Sequence, residues 1–408
     1  MAGQSTIGDR IRALREFRDV TQEELAARSG IHVDTIRKLE QGQRRSARLT
    51  TLRAIAAALD TELERLLGSP TVTSRPPEDR TGGLLALRDA IQDVTGLPGV
   101  PVDDASDAPP DKDAWADAVR EATALYWQGG YSTLAGRLPL LLHEGRAVAR
   151  EATAAEAPRV WAGLALAYQL AASLATQAGH TAWAFQAVEA QLHAAARASD
   201  PLMAAMGVST LSWVLLRQGR WEEAQRVAER KAEEIEPVFR KATKAQLAVY
   251  GNVLLAAAIP AARRGRGDEA DEFLNLAEAT AVRSGPLRSY GTAFSPVDVR
   301  TQQVNAALAG ETPEPGKALM LAARVELPAI SRPVHSAAHR VDVAQARYQS
   351  GDCEGALATL LEVERDQPEW IRYQTLATST VREMLETSRR RNCALRNLAA
   401  RLGVDPSL

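Results

Sequence analysis

At 408 residues the chain is longer than one typical domain, and only 5% of it is aromatic. Abundant alanine and the lack of sustained alternation of β-branched residues argue against a β architecture and set an all-α expectation. The formal charge of −2 is uneven, with twelve basic and ten acidic side chains in residues 1–67 (+2) and 37 against 41 in the rest (−4), so it excludes nothing about nucleic acid.

Helical periodicity begins at about Thr6–Phe17, where Ile7, Ile11 and Leu14 form one stripe. The stretch Thr21–Gly42, TQEELAARSGIHVDTIRKLEQG, then reads as two short helices around a tight turn. Thr21 and Glu24 have capping-box spacing, Ala26 is small where two helices cross, and Gly30 sits where the turn needs positive φ. Ile31, Ile36 and Leu39 fall on one face of the second helix, which turns His32, Val33, Asp34, Thr35, Arg37 and Lys38 outward. Leu52, Ile55, Ala56 and Leu59 give a fourth helix its core face, and Leu63, Leu66 and Leu67 suggest a short fifth before Gly68 and Pro70. Residues 1–68 thus form a small five-helix domain. From Arg37 to Arg53 it carries six basic residues against Glu40 alone.

Residues 69–113 hold seven of the twenty prolines and an acidic run (Asp103, Asp104, Asp107, Asp111, Asp113), the composition of a linker. One island interrupts it at 84–96, where Leu84, Leu85, Leu87, Ile91 and Val94 recur at helical spacing. A helix this short needs a docking surface, either a dimer partner or the first face of the next domain.

Residues 114–408 repeat a helix, a glycine turn and a second helix. The turn glycines at 130, 179, 219, 267, 310 and 351 are spaced by 49, 40, 48, 43 and 41 residues. Units such as LSWVLLRQGRWEEAQRVAE and VAQARYQSGDCEGALATLLE place small alanines (Ala224, Ala356) where paired helices approach. No such pair buries its apolar face alone, so neighbours must stack into one continuous core. Residues 372–402 read as a terminal cap.

The Thr6–Leu67 segment resembles the xenobiotic-response-element (phage-repressor) helix-turn-helix. The likeness rests on IGDRIRALRE, TQEELA, SGI, TIRKLEQG and LTTLRAIAAAL together. The repeats are similar to tetratricopeptide (TPR) repeats, with a period longer than the usual 34 residues. The domain order, and the run from SYGTAFSPVDV through HRVDVAQARYQSGDCEGALATLLEVERDQPEWIRY, resemble a group of actinobacterial regulators. The arginine and alanine bias fits a GC-rich genome. The resemblance implies a five-helix lambda-repressor-like domain followed by a TPR-like α-superhelix.

Carried over by position, the base readers would be His32, Val33, Asp34 and Lys38, with Thr35 and Arg37 close to bases or phosphate. Gln22 would anchor a phosphate, and Arg44, Arg45 and Arg48 would add salt-dependent phosphate contacts. By the same resemblance Arg15 and Glu40 form an internal ion pair. On the repeats, Gln246, Tyr250, Asn252, Arg300, Gln302, Gln303, Asn305, His335, His339 and Arg340 are polar residues expected on the inner face of the superhelix, about half of them in contact with an effector. RRNPP peptide-sensing regulators, which the fold resembles, use such asparagines on a peptide backbone. Trp183, Trp213 and Trp221 read as core.

Other chemistry is poorly supported. His335 and His339 lack the glutamate of HExxH and an evident third ligand, Gly265-Arg266-Gly267 follows no strand, and no ordered catalytic constellation occurs, so no metal, cofactor or enzyme activity is expected. Cys353 and Cys393 have no CxxC spacing, which fits a reduced compartment rather than a disulfide framework. No signal segment opens the chain and no uninterrupted apolar run is long enough to cross a bilayer, so a cytoplasmic, nucleoid-associated protein without a membrane partner is expected. The function expected is a homodimeric repressor on a near-palindromic double-stranded operator, modulated by a small molecule or peptide. The alternative is a DNA-tethered scaffold whose repeats bind a partner protein.

Overall fold

The computed structural model describes residues 6–18, 20–44, 47–59, 61, 66, 79–94, 111–310, 312–327, 333–387 and 392–405. Among them the architecture is all-α apart from one short hairpin.

The N-terminal head contains α1 (Ile7–Phe17), α2 (Gln22–Ser29), α3 (Val33–Glu40) and α4 (Leu49–Ala58). Local chemistry sets the starts of α1 and α2. Thr6 and Asp9 form one capping box, and Thr21 and Glu24 form the other, with the Thr21 N–H donating to Glu24 at 2.8 Å. Gly30 ends α2 at φ +67°. Ile11, Leu25, Ile36, Leu39, Leu52, Ile55 and Leu59 close the core. Gly8 lets α1 lie directly on α3, since a Cβ there would sit 1.9 Å from the Leu39 carbonyl oxygen. Of the expected fifth helix only Leu66 is described; it is buried, and Arg10 Nε donates to its carbonyl at 2.9 Å.

The helix expected at 84–96 runs instead over Asp79–Ile91 (α5) and docks on the body, the second of the two surfaces the sequence left open. Leu87 is fully buried, Arg146 donates to the Ala90 carbonyl at 2.9 Å, and Arg146 pairs with Asp93 at 2.8 Å.

The body is a stack of helix pairs. They are α6 (Lys112–Gln128) with α7 (Tyr131–Glu151), α8 (Ala157–Gln177) with α9 (Thr181–Ala198), and α10 (Pro201–Arg217) with α11 (Trp221–Ile235). There follow α12 (Lys244–Arg263) with α13 (Gly267–Ser284), α14 (Pro296–Ala309) with α15 (Pro315–Ala322), and α16 (Pro333–Gln349) with α17 (Cys353–Asp366). A 3-10 turn at Trp370–Tyr373, α18 (Thr375–Thr387) and α19 (Cys393–Arg401) complete it. Of the expected turn glycines, Gly179, Gly219 and Gly351 take positive φ; at two other turns the left-handed residue is Gly129 (φ +85°), whose N–H closes the end of α6 on the Tyr126 carbonyl, and Gly265 (φ +74°), while Gly267 opens α13. Ala224, Ala270 and Ala356 are buried at the helix crossings.

The stack turns back on itself. The Ser132 N–H of α7 donates to Glu369 at 2.5 Å, Tyr131 lies 5.8 Å from Tyr373, and Gln374 donates to Gln177 at 3.1 Å. The C-terminal segment therefore rests against the first repeats.

Two features depart from the sequence reading. A hairpin, β1 (Leu287–Ser289) with β2 (Thr292–Phe294), interrupts the helices, turning at Tyr290 (φ +52°) and Gly291 (φ +71°). It drives Phe294 into the body, where Gly251 leaves room for the ring. In addition, α12 is long and apolar enough to span a bilayer by composition, against the expectation that no such run exists; 72% of its apolar window is buried inside the body.

Candidate DNA-reading face and interdomain groove

The proposed DNA-reading face belongs to α3. Ile36, Leu39 and Glu40 point into the head, while His32, Asp34 and Lys38 are exposed and Val33, Thr35 and Arg37 half-buried. His32 stands at the N-cap where a small residue is usual, and its Nδ1 accepts from the Asp34 N–H at 3.3 Å. Arg37 is held by Asp34 at 3.1 Å and by Glu23 at 3.6 Å. Both pairs are solvent-exposed and worth about 1 kcal/mol or less each, so a phosphate or base edge can displace them. Arg44 and Arg48 are exposed on the loop after α3; Arg45 lies outside the described residues.

Behind this face the Arg15 and Glu40 side chains form a bidentate pair, Nε to Oε1 at 2.8 Å and Nη2 to Oε2 at 2.9 Å. The Glu40 side chain is 3% exposed, and its hydrogen bonds raise the pKa of the Arg15 guanidinium. Arg15 also donates to the Val20 carbonyl at 2.9 Å, which fixes the entry to α2. Gln22, expected at a phosphate, donates its amide to Glu40 at 2.7 Å. It thereby ties the start of α2 to the end of α3, and a phosphate contact would require its side chain to leave Glu40.

The second site is a groove of about 450 Å³ between the body and the head. Its walls are the first helices of four successive pairs. Ser209, Ser212, Trp213, Leu216 and Arg217 come from α10, and Asn252, Leu255, Ala256, Ile259, Pro260 and Arg263 from α12. Gln302, Asn305, Leu308 and Ala309 come from α14, and Ala338, Val341, Asp342, Gln345 and Gln349 from α16. Each set repeats every three or four residues, one helix face throughout. Trp221, Trp370 and Gln374–Leu376 close one side, and Thr50, Arg53, Ala56 and Ala57 of α4, with Thr61, form the roof. Leu376 also packs on the head core.

Of the ten inner-face candidates, Asn252, Gln302 and Asn305 line this groove. Tyr250 instead lies in the core beside Phe239, and Gln246 caps α12 through Thr243. Arg300 and Gln303 turn toward Glu278, at 3.9 and 3.4 Å. His335 meets Thr301 at 3.1 Å and Asp298 at 3.3 Å, and Arg340 pairs with Asp366 at 2.7 Å. His339 is buried, and desolvation with the neighbouring His335 lowers its pKa to about 4. Among the described residues no three metal-ligating side chains gather. Cys353 and Cys393 are exposed and free.

Sequence reasoning missed the groove's strongest features. Trp213 and Trp221, read as core, line it. So does Asp342, whose carboxyl is pushed up to about 7 by burial, although it accepts from Asn305 at 2.9 Å and feels Arg263. The available signal was the i, i+3, i+4, i+7 stripe of each first helix, which selects residues 338, 341, 342 and 345 on α16.

These features define an all-α chain in which a helix-turn-helix head, its second helix α3 turned outward, sits on a helical-repeat body. Residues 11–66 match the Helix-turn-helix family. Over 75 residues the chain is 35% identical to the protein of Bacillus subtilis (strain 168) named Uncharacterized HTH-type transcriptional regulator RghRB, an alignment covering 18% of this chain and 54% of that one. The chain thus spans about half the length of this curated relative. No solved structure matches the chain.

Proposed function

We propose that the chain is a sequence-specific DNA-binding transcriptional regulator, a homodimeric repressor whose operator binding is modulated by a ligand in the interdomain groove. The observation that carries this is the division of the head: α3 presents His32, Asp34 and Lys38 to solvent, while α4 of the same small core walls the groove. A ligand there touches both domains, and its differential affinity for two head positions is what would shift DNA binding. The B. subtilis relative's printed name, an HTH-type transcriptional regulator, supports the first half of the reading.

One α3 from each protomer would enter successive major grooves, on near-palindromic half-sites about one helical turn, roughly 34 Å, apart. Val33 would meet a thymine methyl, Lys38 a guanine edge, and Asp34 a cytosine N4. Arg44 and Arg48 would supply phosphate contacts. Selection of bound sequences from a random duplex pool by the full chain, followed by gel retardation, tests the reading. A pool that stays random through successive rounds would refute it.

A further inference from the structure

On the outward face of α3 the polar side chains hold one another. Asp34 and Arg37 stand three apart, which puts them side by side on one face of the helix. Arg37 Nη1 donates to Asp34 Oδ1 at 3.1 Å, and Glu23 of α2 lies 3.6 Å from Nη2. The first contact is a hydrogen bond; the second is too long for one and acts as an attraction between charges. Arg37 thus sits between a carboxylate of its own helix and one of the helix before it.

A guanidinium carries five N–H donors in one plane, so these partners leave most of them unused. Among the described residues neither Nε nor Nη2 of Arg37 makes a hydrogen bond, and the edge they share keeps two parallel donors. Arg15 offers that same edge to Glu40, at 2.8 and 2.9 Å. The Arg37 side chain is 43% exposed, so its free edge is open to a ligand. In the major groove two acceptors stand together on one base edge only at guanine, N7 and O6, whereas adenine sets an acceptor beside a donor. Lys38, exposed on the same helix, brings a point charge rather than a fork. An unrestrained arginine spreads over many rotamers, and the two carboxylates narrow that spread before DNA arrives.

We infer that Arg37 is a specificity-determining residue that reads one guanine of each half-site through Nε and Nη2, and that Asp34 is its positioning residue, with Glu23 in support. This rests on the DNA-reading function proposed above and names a base contact within it. The pair with Arg37 occupies Oδ1 of Asp34 and leaves Oδ2 for a cytosine amine. The two roles differ in size. A bidentate guanine contact is worth about tenfold or more in discrimination, while an exposed ion pair is worth about fivefold or less.

The test uses the full chain and the duplex it selects from a random pool. Each base pair of one half-site is changed in turn, and Kd is measured by fluorescence anisotropy. For the parent, one G·C pair should lose about tenfold or more on replacement by A·T. Arg37→Met should abolish that preference while preference survives elsewhere in the half-site. Arg37→Gln serves as the second variant and should lose the guanine preference as well, and each variant is first checked for native exchange protection of α1 and α3. Asp34→Ala, with Arg37 intact, should reduce the preference at that position by about threefold to fivefold. The same change made in Arg37→Met should alter it no further, a coupling that a merely structural role of Asp34 would not produce. A guanine preference that survives in both folded Arg37 variants would overturn the inference and leave the DNA-reading function standing. An Asp34→Ala effect that persists undiminished in Arg37→Met would overturn the positioning role. A parent chain that selects no sequence would overturn both the inference and the function beneath it.

Discussion

Replacing Arg15 by methionine removes the cation that faces Glu40 and leaves a carboxylate whose side chain is 3% exposed with Gln22 as its remaining charge-assisted donor. Breaking one side of a buried pair costs about 3–5 kcal/mol, because the stranded charge keeps its desolvation penalty. A domain of this size has a total stability of only about 3–9 kcal/mol, so the head should open measurably while the body stays folded. All seven tryptophans lie at residue 115 or beyond, so the midpoint of tryptophan-monitored unfolding follows the body, while Trp213, Trp221 and Trp370, which face α4 across the groove, also report the head in the folded baseline. Hydrogen exchange read by mass spectrometry on α1 and α3 peptides of the full chain follows the head. Arg15→Met should lose about 3 kcal/mol of protection there with an unchanged midpoint of tryptophan-monitored unfolding. Gln22→Ala should lose about 1 kcal/mol. The double change Arg15→Met with Glu40→Leu should recover most of the loss, since an apolar pair of similar volume needs no desolvated charge. Protection in Arg15→Met within about 0.5 kcal/mol of the parent would refute the reasoning, as only a solvated pair is worth so little.

Gly8→Ala should also collapse α1 and α3 protection, because its Cβ would lie 1.9 Å from a backbone oxygen that has no rotamer to escape into; a variant with native exchange would contradict that crossing. The buried Asp342 and His339 set opposing pH slopes. Asp342 has its pKa raised to about 7, so the folded state holds a proton the unfolded state has released, and stability falls as pH rises from about 4 to 7, by roughly 4 kcal/mol in all. His339 is lowered to about 4, so stability rises with pH from about 4 to 6.5, by roughly 3 kcal/mol. Urea unfolding of the body should therefore be nearly flat over that window for the parent as far as these two groups decide it, rise with pH in Asp342→Asn, and fall in His339→Gln; parallel curves in all three would contradict both burials. Arg44→Ala and Arg48→Ala should weaken binding to all DNA sequences about equally and reduce the salt slope by about one each, measured by fluorescence anisotropy across a salt series.

The head was legible because its determinants are local. Thr21 with Glu24, Gly30, and the Ile36 and Leu39 pair lie within a few residues of what they govern, and the Arg15–Glu40 pair came with the helix-turn-helix resemblance. The groove was legible only in part, for a geometric reason. Polar residues were grouped by helix rather than by face, and one residue along an α-helix is a turn of about 100°. Tyr250 and Asn252 are two apart and so lie on nearly opposite faces; Asn252 reached the groove and Tyr250 the core. Gln302 and Gln303 separated in the same way, as did Ala338 and His339. The tryptophans were missed because an aromatic residue at a repeat position looks the same in sequence whether its neighbours fill the space beside it or leave it open. The roof contributed by α4 depends on how the two domains meet, which no spacing within either one encodes.

The claim on which the rest depends is that α3 reads base sequence, and the most direct measurement is parallel selection of bound duplexes by the parent chain and by Val33→Ser and Lys38→Ala variants. Both positions are outside the head core, so both variants should keep native α1 and α3 exchange protection. The predicted result is a near-palindromic consensus for the parent, with preference relaxed at one position per half-site in each variant at a cost of about 1–3 kcal/mol. The same consensus from all three proteins, at equal strength, would contradict it.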